Sequence, residues 1–370
     1  MRPPPAPAVD PTRPRSSLAL CAALALLILY GSWFPFQWVR PHPDDVMWAL
    51  TDFTILTNRI DLLGNVALFL PWGLVAARAA QRLGRAPAAW TLGGGLLLAA
   101  LAQAGQFFEA HRDPRWADVL WNMVGTALGL AAQATLPRWR GRSALVLLAG
   151  SAVVAWLPLW PSRDLERLQA HWWALTEFGL WQVPEAAMTA GLALMAGTAA
   201  AQGRTGPRMA SITLPTIGLL AGMLAVPGTR LSGGSVLGLA AGAVLAFTLH
   251  GSPRGVALAL VALQLLGGLA PFDVQALPQT VHWLPFEAML GGSMLGNTQA
   301  LARDVWLWGG ALWFARQGGW PLAPVVALCA GAAAGVETVQ VWMPSRTADL
   351  TPVLIVLALG WILARWPAPR

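Results

Sequence analysis

The sequence predicts an all-α fold, a polytopic transmembrane bundle of about twelve helices. Three features lead there. Of 370 residues, 56% are hydrophobic and only 11% are charged, against roughly 25% charged in a soluble domain. Mean hydropathy is +0.55, more apolar surface than a water-soluble fold can hide. Apolar runs of helix-spanning length recur along the whole chain, separated by short segments that hold most of the charge.

In chain order, residues 1–16 are rich in Pro and carry Arg2, Arg13 and Arg15, which reads as a disordered cytoplasmic tail. Apolar runs follow at 17–35, 61–79, 88–108, 117–136, 143–161, 184–201, 209–227, 235–250, 255–272, 299–315, 320–343 and 350–366. The first could be the core of a signal peptide. No small-x-small cleavage site precedes the Trp33-Phe34-Pro35-Phe36 cluster, so it reads as a retained helix.

The basic residues orient the bundle. All 24 are arginine, and 15 fall in segments that are cytoplasmic if the N-terminus is inside, against 8 outside and Arg303 within a helix. Positive-inside bias then puts both termini in the cytoplasm of a bacterial inner membrane. Apart from Asp10, the acids lie in outer segments or within helices. The net charge of +7 forms no basic face, which argues against a nucleic-acid partner. Cys21 and Cys329 lie within apolar runs and suggest neither a disulfide nor a metal site.

An internal repeat emerges from the spans: unit one at 17–140, unit two at 141–252 and unit three at 253–370, each of four helices. Each long outer segment holds a Trp with an acid four residues later, namely Trp48 and Asp52, Trp173 and Glu177, and Trp283 and Glu287. On interfacial helices each pair would share a face. Arg112, Arg230 and Arg346 mark equivalent outer turns, 118 and 116 residues apart. Units one and three agree further. Leu63-Gly64-Asn65 parallels Leu295-Gly296-Asn297, and Gln106 and Gln340 each lie six residues before their Arg. An even number of helices per unit makes such repeats parallel.

The stretch Asp61-Leu-Leu-Gly-Asn65-Val-Ala-Leu-Phe69-Leu-Pro71-Trp-Gly73 and the later Gln106…Arg112…Asp118-Val-Leu-Trp-Asn122-Met-Val-Gly125 resemble the two signatures of the VanZ-like membrane proteins. Unit three repeats the second in part, as Glu337-Thr-Val-Gln340…Arg346-Thr-Ala-Asp349. Gln103 stands where the family pattern has Glu, and Pro352 and Val356 stand where unit one has Asp118 and Asn122. Unit one is therefore expected to be the working copy. The resemblance implies an envelope role and a link to susceptibility to the glycopeptide teicoplanin. It implies no reaction.

The candidate binding residues are Asn65, Gln103, Gln106, Arg112, Asp118, Asn122, Glu337, Gln340, Arg346 and Asp349. Asp118 and Asn122 are i and i+4 on one helix, and Gln103 and Gln106 are i and i+3 on another, so two polar faces are expected to meet with Arg112 at their outer end. Either Arg112 pairs with Asp118 to pin a turn, or it presents a fork of donors to an anionic or amide-bearing ligand. The expected partners are the lipid bilayer and a lipid-linked cell-wall intermediate or an envelope protein. No cofactor is expected. His42, His171 and His282 do not match in position, so no metal is expected. A transporter or flippase, with Asp304 beside Arg303 as its best mid-membrane acid, and an intramembrane enzyme acting on lipid head groups are the alternatives. No Walker, HExxH or hydrolase serine motif is present.

Overall fold

The computed structural model describes residues 13–52, 54–55, 59–139, 143–202, 208–290 and 293–365. The tail expected at 1–16 lies largely outside them. The regular structure of the described residues is helical, with no strand beyond two isolated bridges, Trp38 with Glu109 and His282 with Asp349. By contacts the chain divides into two compact units, Met1–Arg140 and Gly141–Arg370.

The first unit contains α1 (Arg13–Trp33), α2 (Pro43–Thr51), α3 (Arg59–Arg82), α4 (Pro87–Gln106) and α5 (Trp116–Trp139). Pro87 starts α4 at a position where the missing N–H costs nothing. Phe69, Trp72, Ala76 and Ala79 of α3 pack against Cys21 and Ile28 of α1 and Leu98 and Ala99 of α4. Helices α3 and α5 come closest. A Cβ on Gly125 would lie 2.3 Å from the carbonyl oxygen of Val66, and one on Gly129 would lie 2.2 Å from that of Leu70. Only glycine permits that approach.

The second unit contains α6 (Ser143–Ala155), α7 (Leu165–Trp172), α8 (Val183–Ala201), α9 (Arg208–Ala225), α10 (Gly233–Leu249), α11 (Pro253–Leu269), α12 (Glu287–Leu290), α13 (Met294–Gln317), α14 (Leu322–Gln340) and α15 (Thr351–Arg365). Side-chain caps set several starts. Asp164 accepts from the N–H groups of Glu166 and Arg167, Ser252 from Gly255, and Ser232 forms a capping box with Ser235. Helix α8 is buried at every residue from Ala187 to Ala200. Its Ala, Gly and Thr side chains let α6, α9, α10, α11 and α13 pack around it.

A helix stands at each of the twelve predicted spans, and α2, α7 and α12 lie in the long connecting segments. Three are long and apolar enough to cross a membrane by themselves, Asp61–Arg82, Pro87–Gln106 and Leu322–Gln340. Six more are apolar but only 10–17 residues long, short of the ~20 residues that a span needs.

One expectation is corrected. The Trp and acid pairs do not share a helix face. Helix α2 stops at Thr51, and Asp52 beyond it accepts from the backbone of Thr54 at 3.0 Å, an Asx turn that competes with helix. Hydrogen bonds from Thr54 hold the Asp52 carboxyl below its usual range. Trp173 starts a 3-10 turn that ends at Thr176, with Glu177 extended. Helix α12 begins at Glu287, after Trp283 and Pro285.

Candidate functional site

Helix α1 ends at Trp33, and its last carbonyls have no partner within the helix. Side chains from the end of α4 and the turn after it supply them. Arg112 donates from Nε to Phe34 O and from Nη2 to Gly31 O, both at 3.2 Å, and Gln106 Nε2 donates to Ser32 O at 3.2 Å. The same lock closes α11. Arg346 donates from Nε to Ala270 O and from Nη2 to Gly267 O, both at 2.7 Å, while Gln340 Nε2 reaches Gly268 O at 2.8 Å. A cis X–Pro bond follows each site, at Phe34-Pro35 and Ala270-Pro271, and the next residue, Phe36 or Phe272, has positive φ. Leu157-Pro158 and Leu159 repeat that backbone after α6. There Gln299 of α13 bonds to Leu157 O at 3.0 Å and to Gly228 O at 2.7 Å. Arg230 points elsewhere, to Glu185 Oε1 at 3.4 Å and Gly296 O at 3.5 Å.

The expected polar faces of the first unit do meet in part. Asn65 Nδ2 donates to Asp118 Oδ1 at 2.8 Å, and Gln103 lies against the same carboxylate. Gln103 Oε1 also accepts from the backbone N–H of Arg115 at 2.9 Å. Asn122 is buried, and its Oδ1 has no partner. The hydrogen bonds of Arg112 and Gln106 go to α1, not to this cluster. Glu109, which the sequence did not single out, is buried and accepts from the N–H groups of Gln37 at 3.2 Å and His111 at 2.8 Å. It ties the segment after α1 to the segment after α4.

A polar cavity of about 310 Å³ lies in the second unit, between α8, α11, α13, α14 and the turn that carries Arg346. Its lining combines the charged Arg303, Asp304, Glu337 and Asp349 with the apolar Met188, Leu263 and Trp308, the last one turn beyond Asp304 on α13. Arg303 Nε donates to Asp304 Oδ1 at 2.8 Å, and Asp304 is 6% exposed. Glu337 Oε2 accepts from the N–H of Asp349 at 2.7 Å, the bond that Gln103 makes to Arg115 in the first unit. Asp349 Oδ1 in turn accepts from the N–H and hydroxyl of Thr351 at 2.8 and 2.6 Å and so caps α15. Arg346 stands at the rim, held by its carbonyl bonds. Burial, and next to it the charge of Arg303, pull both Arg230 and Arg346 below the ordinary arginine range.

The cavity joins Glu337, Gln340, Arg346 and Asp349 from the sequence prediction to residues that it did not choose as a site. Arg303 and Asp304 are the main ones. Their signal was legible, since an ionisable pair inside an apolar helix is costly and points to function. Gln299 and Glu185 carried none, because their partners come from distant elements, and Arg230 was legible only as the marker of an outer turn. The histidines stay apart: His42 lies 3.4 Å from Asp44, His171 3.0 Å from Met223 O and His282 3.3 Å from Glu287. Among the described residues no three His, Cys, Asp or Glu side chains are grouped to hold a metal.

No curated protein and no solved structure matches the chain. A family model described as VanZ/LLP1 matches residues 15–136, which run from α1 through most of α5 and contain the first Arg and Gln lock. Three helices are thus long and apolar enough to cross a bilayer, and the N-terminal third of the chain is similar to the VanZ/LLP1 family.

Proposed function

We propose that the protein is a non-catalytic factor of the bacterial cytoplasmic membrane that binds a lipid-linked or cell-wall molecule at its outer face. The observation that carries this reading is the cavity at the Arg346 turn, lined by both charged and apolar side chains. Amphipathic ligands need that division, and pockets that bind small molecules start at about 300 Å³. Positive-inside bias orients the Arg-bearing turns outward and both termini inward. The recurring helix-end geometry at Phe34, Leu157 and Ala270 supports three related four-helix units, 17–140, 141–252 and 253–370. An effect on teicoplanin susceptibility would follow from competition for, or shielding of, such a wall intermediate.

Binding is favoured over catalysis because the hydroxyls of Thr351 and Ser345 are engaged, the first on Asp349 Oδ1 at 2.6 Å. Ser345 Oγ donates to Asp273 Oδ1 at 2.9 Å. A second reading, transport, is favoured by depth. Arg303 and Trp308 line the cavity about 14 and 21 Å along α13 from its first residue. Mass spectrometry of molecules that co-purify with the wild type and with Ala300→Trp, which fills the cavity, tests the binding reading. An amphiphile retained by the wild type and lost from the variant is expected. Identical co-purified sets would sink it. Movement of that amphiphile between leaflets of reconstituted vesicles would replace binding by transport.

A further inference from the structure

We propose that the cavity seats a zwitterionic amphiphile, with a phosphate against Arg303, a primary ammonium against Glu337 and Asp304, and the tail along Met188 and Trp308. This rests on the binding reading above and names the ligand class for the same site.

The signs on the wall carry the choice. A simple anion entering the cavity would face Asp304, Glu337 and Asp349, and a simple cation would face Arg303 and Arg346. A ligand that carries both signs meets each with its opposite. The free valences agree. Arg303 uses Nε on Asp304, and its two terminal nitrogens make no hydrogen bond among the described residues. Those nitrogens form the fork that suits a phosphate. Glu337 commits Oε2 to the backbone of Asp349, while Oε1 makes no hydrogen bond among the described residues. An ammonium has three donors for such acceptors. Arg346 cannot serve as the phosphate ligand without releasing α11, because Nε and Nη2 hold its carbonyls. The side chains of Met188 and Leu263 offer no hydrogen-bond donor, so beside the Trp308 ring they suit a hydrocarbon chain and not a second polar group.

The test is native mass spectrometry of the full-length protein in detergent. Equal amounts of phosphatidylethanolamine, phosphatidylglycerol and a trimethylammonium lipid lacking phosphate compete for it. The wild type is expected to carry phosphatidylethanolamine about tenfold over either of the others. Glu337→Gln keeps an oxygen for the Asp349 N–H, as Gln103 does for Arg115, so it should fold with an unchanged Tm. It should lose the preference over phosphatidylglycerol. The double variant Arg303→Gln with Asp304→Asn removes both charges of the pair together and should lose the preference over the trimethylammonium lipid. Equal occupancy by all three lipids in the wild type, or an undiminished preference in Glu337→Gln, overturns the zwitterion assignment and leaves the binding reading standing. Displacement of the lipid by equimolar soluble phosphoethanolamine overturns the amphiphile half of the proposal. Lipid occupancy of Ala300→Trp equal to that of the wild type overturns the binding reading as well.

Discussion

The first unit and the region from α11 to α15 close their first helices with the same device and then diverge. In both, an Arg and a Gln six residues before it donate to carbonyls at the end of a helix, Arg112 and Gln106 on α1 and Arg346 and Gln340 on α11. In the first unit α3 and α5 then approach to glycine distance. In the region from α11 to α15 the register set by Asn297 and Arg346 puts Val305, Leu359 and Leu363 where the first unit has Gly73, Gly125 and Gly129. A Cβ on Gly309 of α13 would meet only the Leu359 side chain, at 3.8 Å, and Arg303, Asp304 and Glu337 line space among α8, α11, α13 and α14 that the α3–α5 seam does not have. A local lock can therefore be kept while a few residues on other helices decide whether the bundle is closed or hollow.

Gly125→Leu should break the closed half with the largest effect. A side chain there meets the Val66 carbonyl, and overpacking costs about 1–3 kcal/mol or more. Thermal unfolding in detergent should show a large loss of Tm or no folded material, and a wild-type Tm would refute the close seam. Arg112→Ala and Arg346→Ala come next. Each removes charge-assisted bonds to helix-end carbonyls, at about 1.5–3 kcal/mol. The two losses of Tm should be similar, because the bonding is shared. If only Arg346→Ala destabilises, the parallel between the two regions fails.

Gln106→Leu and Gln340→Leu each remove one neutral bond, with an expected loss of about 0.5–1.5 kcal/mol in the same assay. The smallest effect sharpens the contrast. Gln103→Glu keeps the acceptor for the Arg115 N–H, and beside Asp118 the two carboxyls can share a proton, so at pH 5 stability should stay within about 1 kcal/mol. It should also leave the lipid occupancy of the full-length protein unchanged, because the seam beside it stays closed. Lipid occupancy that rises in Gln103→Glu would show that the acid, not the open seam, makes the site.

Much of this was legible from the residues. The twelve apolar runs coincide with twelve helices because a chain in lipid has to satisfy its backbone internally, and apolar length records that need. The Arg-bearing turns and the Gln six residues before them were also visible as spacings. Their role was not. Arg112 looked like the partner of Asp118 because both are charged and close in sequence, yet carbonyls exposed at a distant helix end compete better for a guanidinium with several donors. The weight placed on unit one followed from its fuller set of polar residues, Asp118 and Asn122 included. Polar residues can be counted in sequence, but open volume cannot.

By itself, then, the sequence determined that the chain is helical and built for a membrane, that its first third carries the VanZ-like pattern, and which polar residues sit near the turns. The first and last follow from composition, periodicity and spacing, and the second from a resemblance to a family's signatures, all of them local properties. Only the tertiary structure decided which carbonyls those side chains satisfy and where a cavity opens. Both depend on how closely helices pack when they are far apart in the chain, and that distance is set by pairs such as Gly125 against Val66 that no local pattern joins.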